Sequence, residues 1–369
     1  MSWSDRTESE LLRAVRETGF LLVLFSSSCK DDVDNHQQFA PRFEFGCDMR
    51  SYVLGKGSEF RGMKLLPPGL RFFHYSCGKA GMKQAFFTHI VAGDVAIRCW
   101  DRVEEDFVGN FSQDTAGRSV AAVRSGEMDK ALGAYNIEDY PTWLGLANHI
   151  DESVLESCGL PVGGIITAAE NGDENEGLYA PSFTPGFIVD IANELRAIKR
   201  KAKEGNGGRT LPKYLQNVSG SDLTRLATDH LFRLRIVLRE EYGGKWSAMF
   251  GELQLCFLLL LYISSQAALE QWKRMFSLLC ASVPQMISTD NESSTGEQLL
   301  RVLQCQLDQI PQDFFADAIA SDNFMGNALR SMFDGEDDDD DEQDVALSHF
   351  RGFLIDRFGE DTIFCCASE

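Results

Sequence analysis

Residues Gly251 to Leu261 read Gly-Glu-Leu-Gln-Leu-Cys-Phe-Leu-Leu-Leu-Leu, and the run continues into Tyr262 and Ile263. Wound into a helix, this segment is apolar on every face, so it has no side to give to water and needs other elements around it. Its longest unbroken apolar stretch, Leu255 to Ile263, is shorter than the roughly 20 residues that a bilayer span requires. The expectation is a helical core, with no membrane partner.

The neighbouring sequence can build that core. Leu223, Leu226, Ala227, His230, Leu231, Leu234 and Leu238 form a stripe with helical period that stops at Gly243-Gly244, and its position on the stripe makes His230 a core residue. Ala267 to Cys280 is amphipathic, Thr295-x-x-Gln298 offers a capping box for a helix running to Asp308, and Pro311 to Ala320 and Asp322 to Phe333 add two more. Trp272 and Arg274, in Gln271-Trp-Lys-Arg, are residue types that anchor partners, although Met275, Phe276 and Leu279 nearby favour core packing for the tryptophan.

The N-terminal half has a different period. Glu8 to Thr18 reads as a short helix before Gly19, Phe20 to Phe25 as a buried strand, and Met63 to Leu66 and Leu70 to Ser76 as strands around Pro67-Pro68-Gly69. Gln84 to Ala92 and Val95 to Asp101 are two further strands, with Gly93-Asp94 expected as a two-residue hairpin turn. Asp139 is placed to cap a helix with Pro141 in its first turn and Trp143, Leu144, Ala147 and Ile150 on its apolar face. The fold class expected is α+β in two domains. Residues 1–158 make a β-rich domain ending in a helix, and 159–208 a connection with one helix over Phe187 to Lys203. Residues 209–333 form an all-helical domain, and 334–369 an acidic tether and short tail.

Composition narrows the function. With 56 acidic and 35 basic residues the formal charge is -21, which opposes a polyphosphate, so direct nucleic-acid binding is not expected. Such a chain is steered toward basic protein surfaces. Ten scattered cysteines and an N-terminus without a cleavable signal fit a reducing compartment, cytoplasmic and nuclear. Glu336 to Asp344 holds eight acidic residues in nine, a run that repels itself, and the apolar Phe350 to Phe364 beyond it reads equally as a docking motif or as a last helix packed on the body.

No catalytic constellation stands out. Gly55-Lys-Gly-Ser58 lacks the first glycine of a phosphate loop and reads as a turn, and Ser219-Gly-Ser221 lacks the first glycine of a nucleophile elbow. His74, Cys77, His89 and Cys99 include enough ligand types for zinc and could meet on neighbouring strands, which keeps a metal- or thiol-dependent enzyme as the alternative function. Their spacing matches no compact zinc module, and His74 lies within an apolar strand. No cofactor is expected.

Glu44-Phe-Gly-Cys-Asp48, Glu59 to Ser76, Leu132-Gly-Ala-Tyr135, Gly251 to Leu261 continuing to Arg274, Ile310-Pro-Gln-Asp-Phe-Phe-Ala-Asp and Ser321-Asp-Asn-Phe324 together, in this order, closely resemble the Aar-two family of spliceosomal U5 snRNP assembly factors. The resemblance implies a β-sandwich-like N-terminal domain, a helical VHS-like C-terminal domain and a tail. It also implies a non-enzymatic chaperone that binds the large central splicing protein through its RNase H-like and Jab/MPN domains and holds off the RNA helicase of the mature particle. The chain departs from the family pattern at the polar insertion Ser26 to Ala40, along Cys158 to Gly208, and in its short tail. There only Thr362, Ile363, Phe364 and Cys365, with Cys366, form a β-prone segment able to add to a partner's sheet.

Overall fold

The computed structural model describes residues 16–25, 43–55, 58–77, 81–101, 106–107, 112–169, 171–173, 177–185, 187, 220–289, 291–311, 324–333 and 345–359. Contacts divide the chain into two units. The first takes Met1–Trp143, Gly159–Pro181 and Leu261–Ser265, and the second Leu144–Cys158, Ser182–Leu260 and Gln266–Glu369. The fold class is α+β, with the sheets in the first unit and the helices concentrated in the second.

The first unit holds two sheets. One has the order β7-β1-β4-β8, from Val95–Trp100, Gly19–Phe25, Gly62–Leu66 and Leu132–Ala134. The other runs β10-β9-β6-β5-β2-β3, from Leu178–Tyr179, Ile165–Thr167, Lys83–Ile90, Gly69–Cys77, Phe43–Cys47 and Arg50–Leu54. Strand alternation sends Leu21 and Val23 of β1 into one aromatic core with Phe43, Phe45, Phe73, Tyr75, Phe86 and Trp100. Phe20, Leu22 and Leu24 face the opposite way, onto Val95, Leu132 and Val123 of α1 (Gln113–Arg124). β1 is thus buried on both faces, which is why it reads as a continuous apolar run.

The expected hairpin at Gly93-Asp94 does not form. β5 and β9 already occupy the two edges of β6. The Gly93 N–H donates to the Thr18 carbonyl at 2.8 Å and the Asp94 carbonyl accepts from Phe20 N–H at 3.0 Å, so the turn hands the chain to the other sheet. There β7 pairs parallel with β1, Phe20 opposite Val95. Leu66 ends β4 and Gly69, at φ 110°, opens β5, so the turn at Pro67-Pro68 is also a passage between sheets.

Two short helices follow, α2 (Tyr140–Ala147) and α3 (Glu152–Ser157). Asp139 does not serve as the expected cap. It closes a 3-10 turn, Ile137–Asp139, and its carboxylate is held by Arg50. Trp143, Leu146 and Ile150 are buried, whereas Leu144 is exposed and Ala147 half-buried. α3 is capped by the Asp151 side chain, which accepts from Val154 N–H at 2.9 Å.

The second unit continues with α4 (Gly220–Thr228), α5 (His230–Tyr242), α6 (Trp246–Ile263), α7 (Gln266–Ile287), α8 (Ser293–Asp308), α9 (Phe324–Arg330) and α10 (Val345–Phe358). α7 packs on α5, α8 and α9, and α10 packs on α8. At 18 residues α6 is long and apolar enough by composition to cross a bilayer, so the shorter run expected from sequence understates it. Burial gives its role: Met249 to Leu259 are buried, as a core helix requires.

Two details differ from expectation, and a third decides between the two readings of the apolar segment after the acidic run. His230 is half-buried, its Nδ1 beside the Arg233 guanidinium at 3.1 Å, and Ala227 is exposed. The capping box at Thr295 and Gln298 is not used, because α8 begins at Ser293 after Glu292, whose carboxylate is taken by Arg235 at 2.8 and 3.0 Å. Val345 to Phe358 is a packed helix, with Leu347, Phe350 and Leu354 buried and Arg357 donating to the carbonyls of Asp308 and Ile310 at the end of α8.

The helices expected over Phe187 to Lys203 (Phe187 apart) and Pro311 to Ala320 (Pro311 apart) lie outside the described residues, as do the insertion Ser26 to Ala40 and the acidic run. Of the helix expected over Glu8 to Thr18, only Arg16 to Thr18 are described.

Candidate functional site

Three of the sequence words singled out above converge on Asp48. It sits in the two-residue turn between β2 and β3 with φ 50°, a left-handed conformation that Asp tolerates better than most residues. Its Oδ2 accepts from Arg71 Nη1 at 3.0 Å and from the Tyr135 hydroxyl at 2.8 Å, and its Oδ1 accepts from Phe72 N–H at 3.1 Å. Arg71 also donates to the Pro68 carbonyl at 3.2 Å and lies over the Tyr140 ring. Both charged side chains are almost wholly buried.

Burial pushes the Asp48 carboxyl up, and Arg71, Phe72 N–H and Tyr135 offset this only in part. Burial works against the Arg71 charge too, but Asp48 outweighs it and the guanidinium stays above its ordinary value. A pair of this kind is costly to break from one side, because the remaining charge is stranded. In the same motif a Cβ at Gly46 would stand 2.1 Å from the His74 ring, so only glycine fits. The ring is enclosed by Phe72 and Tyr262, and burial lowers its pKa to about 3.

The polar residues of the apolar helix α6 are spent in the same way. Glu252, 1% exposed, accepts from Thr184 N–H at 2.9 Å, Thr184 Oγ1 at 2.6 Å, the Tyr242 hydroxyl at 2.9 Å and Gln271 Nε2 at 2.8 Å. Gln254 accepts from His149 N–H and donates to the Gly145 carbonyl and Asn148 Oδ1. At Gly251 a Cβ would come within 2.4 Å of the His149 carbonyl oxygen. These groups bind the segments around residues 145–149 and 184 to the helix, and their polar atoms are turned inward.

The expected site residues are not assembled. His74 is buried on β5, His89 is exposed on β6, and Cys99 is buried on β7 in the other sheet, with Cys77 at the end of β5. Among the described residues no group of three or more His, Cys, Asp or Glu side chains converges as a metal site would require. Burial raises the pKa of Cys47, Cys99, Cys158, Cys256, Cys280 and Cys305, which disfavours the thiolate that nucleophilic chemistry needs.

Trp272 is 1% exposed and donates from Nε1 to Gln306 Oε1 at 2.9 Å, so its surface is consumed within its own unit. Arg274 is half-buried on the same helix. Thr362, Ile363, Phe364 and Cys365 lie outside the described residues. At the phosphate-loop fragment the Ser58 N–H donates to the Gly55 carbonyl at 3.1 Å, and Lys56 and Gly57 lie outside the described residues. The meeting of Asp48, Arg71 and Tyr135, and that of Glu252 with Thr184, are not readable from spacing. Only Glu252, a single acid inside an apolar run, hinted at the second.

Comparison with known proteins agrees with the sequence resemblance. Residues 36–161 match the family model of the AAR2 N-terminal domain, and residues 209–359 that of the AAR2 C-terminal repeat region. The chain is 27% identical over 315 residues to "Protein AAR2 homolog" of Homo sapiens, covering 79% of each, and 27% identical over 321 residues to that of Mus musculus. With "Protein AAR2 homolog" of Caenorhabditis elegans it shares 26% over 349 residues, 88% of this chain and 92% of the relative.

Proposed function

Because the chain belongs to the AAR2 family, we propose that it is a non-enzymatic assembly chaperone of the spliceosomal U5 snRNP. It binds the large central splicing protein through that protein's RNase H-like and Jab/MPN domains and keeps the RNA helicase away until the particle matures. The observation that carries this reading is the family match across both the sheet-bearing and the helical parts of the chain.

Two physical features support it. Asp48, Arg71, Tyr135 and Glu252, polar residues of the signature motifs, are directed into the fold, which suits a scaffold that presents surfaces better than one that presents a reaction centre. A formal charge of -21 favours a basic protein partner over naked RNA. The protein acts in the cytoplasm and the nucleus, with other U5 components as indirect partners and neither nucleic acid nor membrane as a direct one.

The test is co-elution of the purified chain with a recombinant fragment of the splicing protein containing the RNase H-like and Jab/MPN domains, followed by addition of the helicase. A stable complex that excludes the helicase supports the proposal. Absence of a complex at micromolar concentrations removes its main support.

A further inference from the structure

The six-stranded sheet ends at β3, which is hydrogen-bonded to β2 on one side and, among the described residues, to no strand on the other. The other edges are shorter or more covered. β10 and β8 have two and three residues, and β7 carries only buried and half-buried residues. In β3, by contrast, Arg50 and Ser51 are exposed and Val53 is 60% exposed.

The phase of the ladder shows which groups are free. Cys47 and Arg50 flank the two-residue turn, so they form a hydrogen-bonded pair, as do Phe45 with Tyr52 and Phe43 with Leu54. The Asp48 N–H agrees with this phase, since it points to the other neighbour and donates to the Phe72 carbonyl at 2.8 Å. Ser51 and Val53 therefore aim their main-chain N–H and C=O groups outward.

Edges of this kind are usually blunted by proline, by lysine or by a bulge. β3 has none of these: its five residues are Arg-Ser-Tyr-Val-Leu in unbroken register, and its one charge, Arg50, is engaged by Asp139. Beside Val53, on the same sheet face, stands Glu44. An added strand would thus meet an apolar side chain, with a carboxylate one strand further in, on a protein of net charge -21.

We propose that β3 is a strand-addition site for an extended, basic segment of the partner protein. Main-chain bonds to Ser51 and Val53 give the affinity, an aliphatic or β-branched residue packs on Val53, and a Lys or Arg at a neighbouring position on the same face reaches across β3 toward Glu44 on β2. The identity of the partner rests on the function proposed above; the chemistry of the edge does not.

Hydrogen–deuterium exchange of the full chain, with and without the RNase H-like and Jab/MPN fragment, tests this directly. Exchange across Arg50 to Leu54 should slow in the complex, because the outward amides gain acceptors. Val53→Pro removes an N–H that the fold does not use, so the melting temperature should hold while binding weakens about tenfold or more. Val53→Thr keeps the N–H and should bind within about threefold of the unmodified chain. If the fragment binds but exchange over β3 is unchanged, or Val53→Pro binds equally well, the edge proposal is wrong and the function stands. If the unmodified chain does not bind the fragment, the function proposed above fails and this proposal falls with it.

Discussion

Asp48 receives hydrogen bonds from Arg71 and Phe72 on β5 and from Tyr135 just after β8, two stretches of chain distant from its own. Arg71→Met strands a buried carboxylate and should cost about 3–5 kcal/mol by chemical denaturation. Tyr135→Phe removes one bond to a charged group and should cost about 1.5–3 kcal/mol. Replacing Asp48 and Arg71 together with apolar residues of similar size should recover much of the larger loss, and equal losses in the single and double variants would contradict the pairing. His74 makes a prediction of opposite character. Its imidazole titrates near 6.5 when unfolded and near 3 in the fold, so the unfolded chain binds a proton that the folded chain refuses. Stability should then fall as pH drops through 6.5 toward 3, at up to about 1.4 kcal/mol per pH unit from this residue. Comparing the protein with His74→Gln between pH 7 and pH 4.5 isolates the term: the balance should shift toward the variant by that slope, and a pH-independent difference would refute it.

At the scale of elements, α6 and α10 make the clearest predictions. Thr184→Val removes one donor to Glu252 and should speed amide exchange over residues 182–187 while the rest of α6 stays protected. Truncation after Phe358 should leave the melting temperature unchanged. Truncation before Val345 removes the buried Leu347, Phe350 and Leu354 and should lower it by several degrees. The same elements show what the sequence could reveal. α6 was legible because it is apolar on all faces, and β1 because a strand buried twice leaves no polar alternation. The passage at Gly93-Asp94 was not, since a tight turn between two strands has the same residues whether the strands pair or part; the choice was made by β9, which arrives some seventy residues later to fill the edge of β6. The start of α8 was missed for a similar reason: Glu292 is bound by Arg235, a partner 57 residues away. Of the candidate sites, the histidines and cysteines were visible as residue types, but the sheet they belong to was not. The open edge at β3 is a property of pairing and leaves no mark in composition.

For the whole molecule, the dominant quantity is the formal charge of -21, which makes association with a basic partner fast at low salt and progressively slower as salt screens it. Stopped-flow association rates with the splicing-protein fragment should therefore fall steeply with ionic strength, while dissociation rates change little; a salt-independent association rate would argue against electrostatic steering. On the proposed function this chain, with Asp48, Arg71, Tyr135 and Glu252 turned inward to hold the fold, works by binding the large U5 splicing protein. The decisive measurement is calorimetric titration of the purified full chain with the isolated RNase H-like domain. Saturable binding is expected at micromolar concentration or below, and no detectable heat or binding at those concentrations would overturn the proposed function.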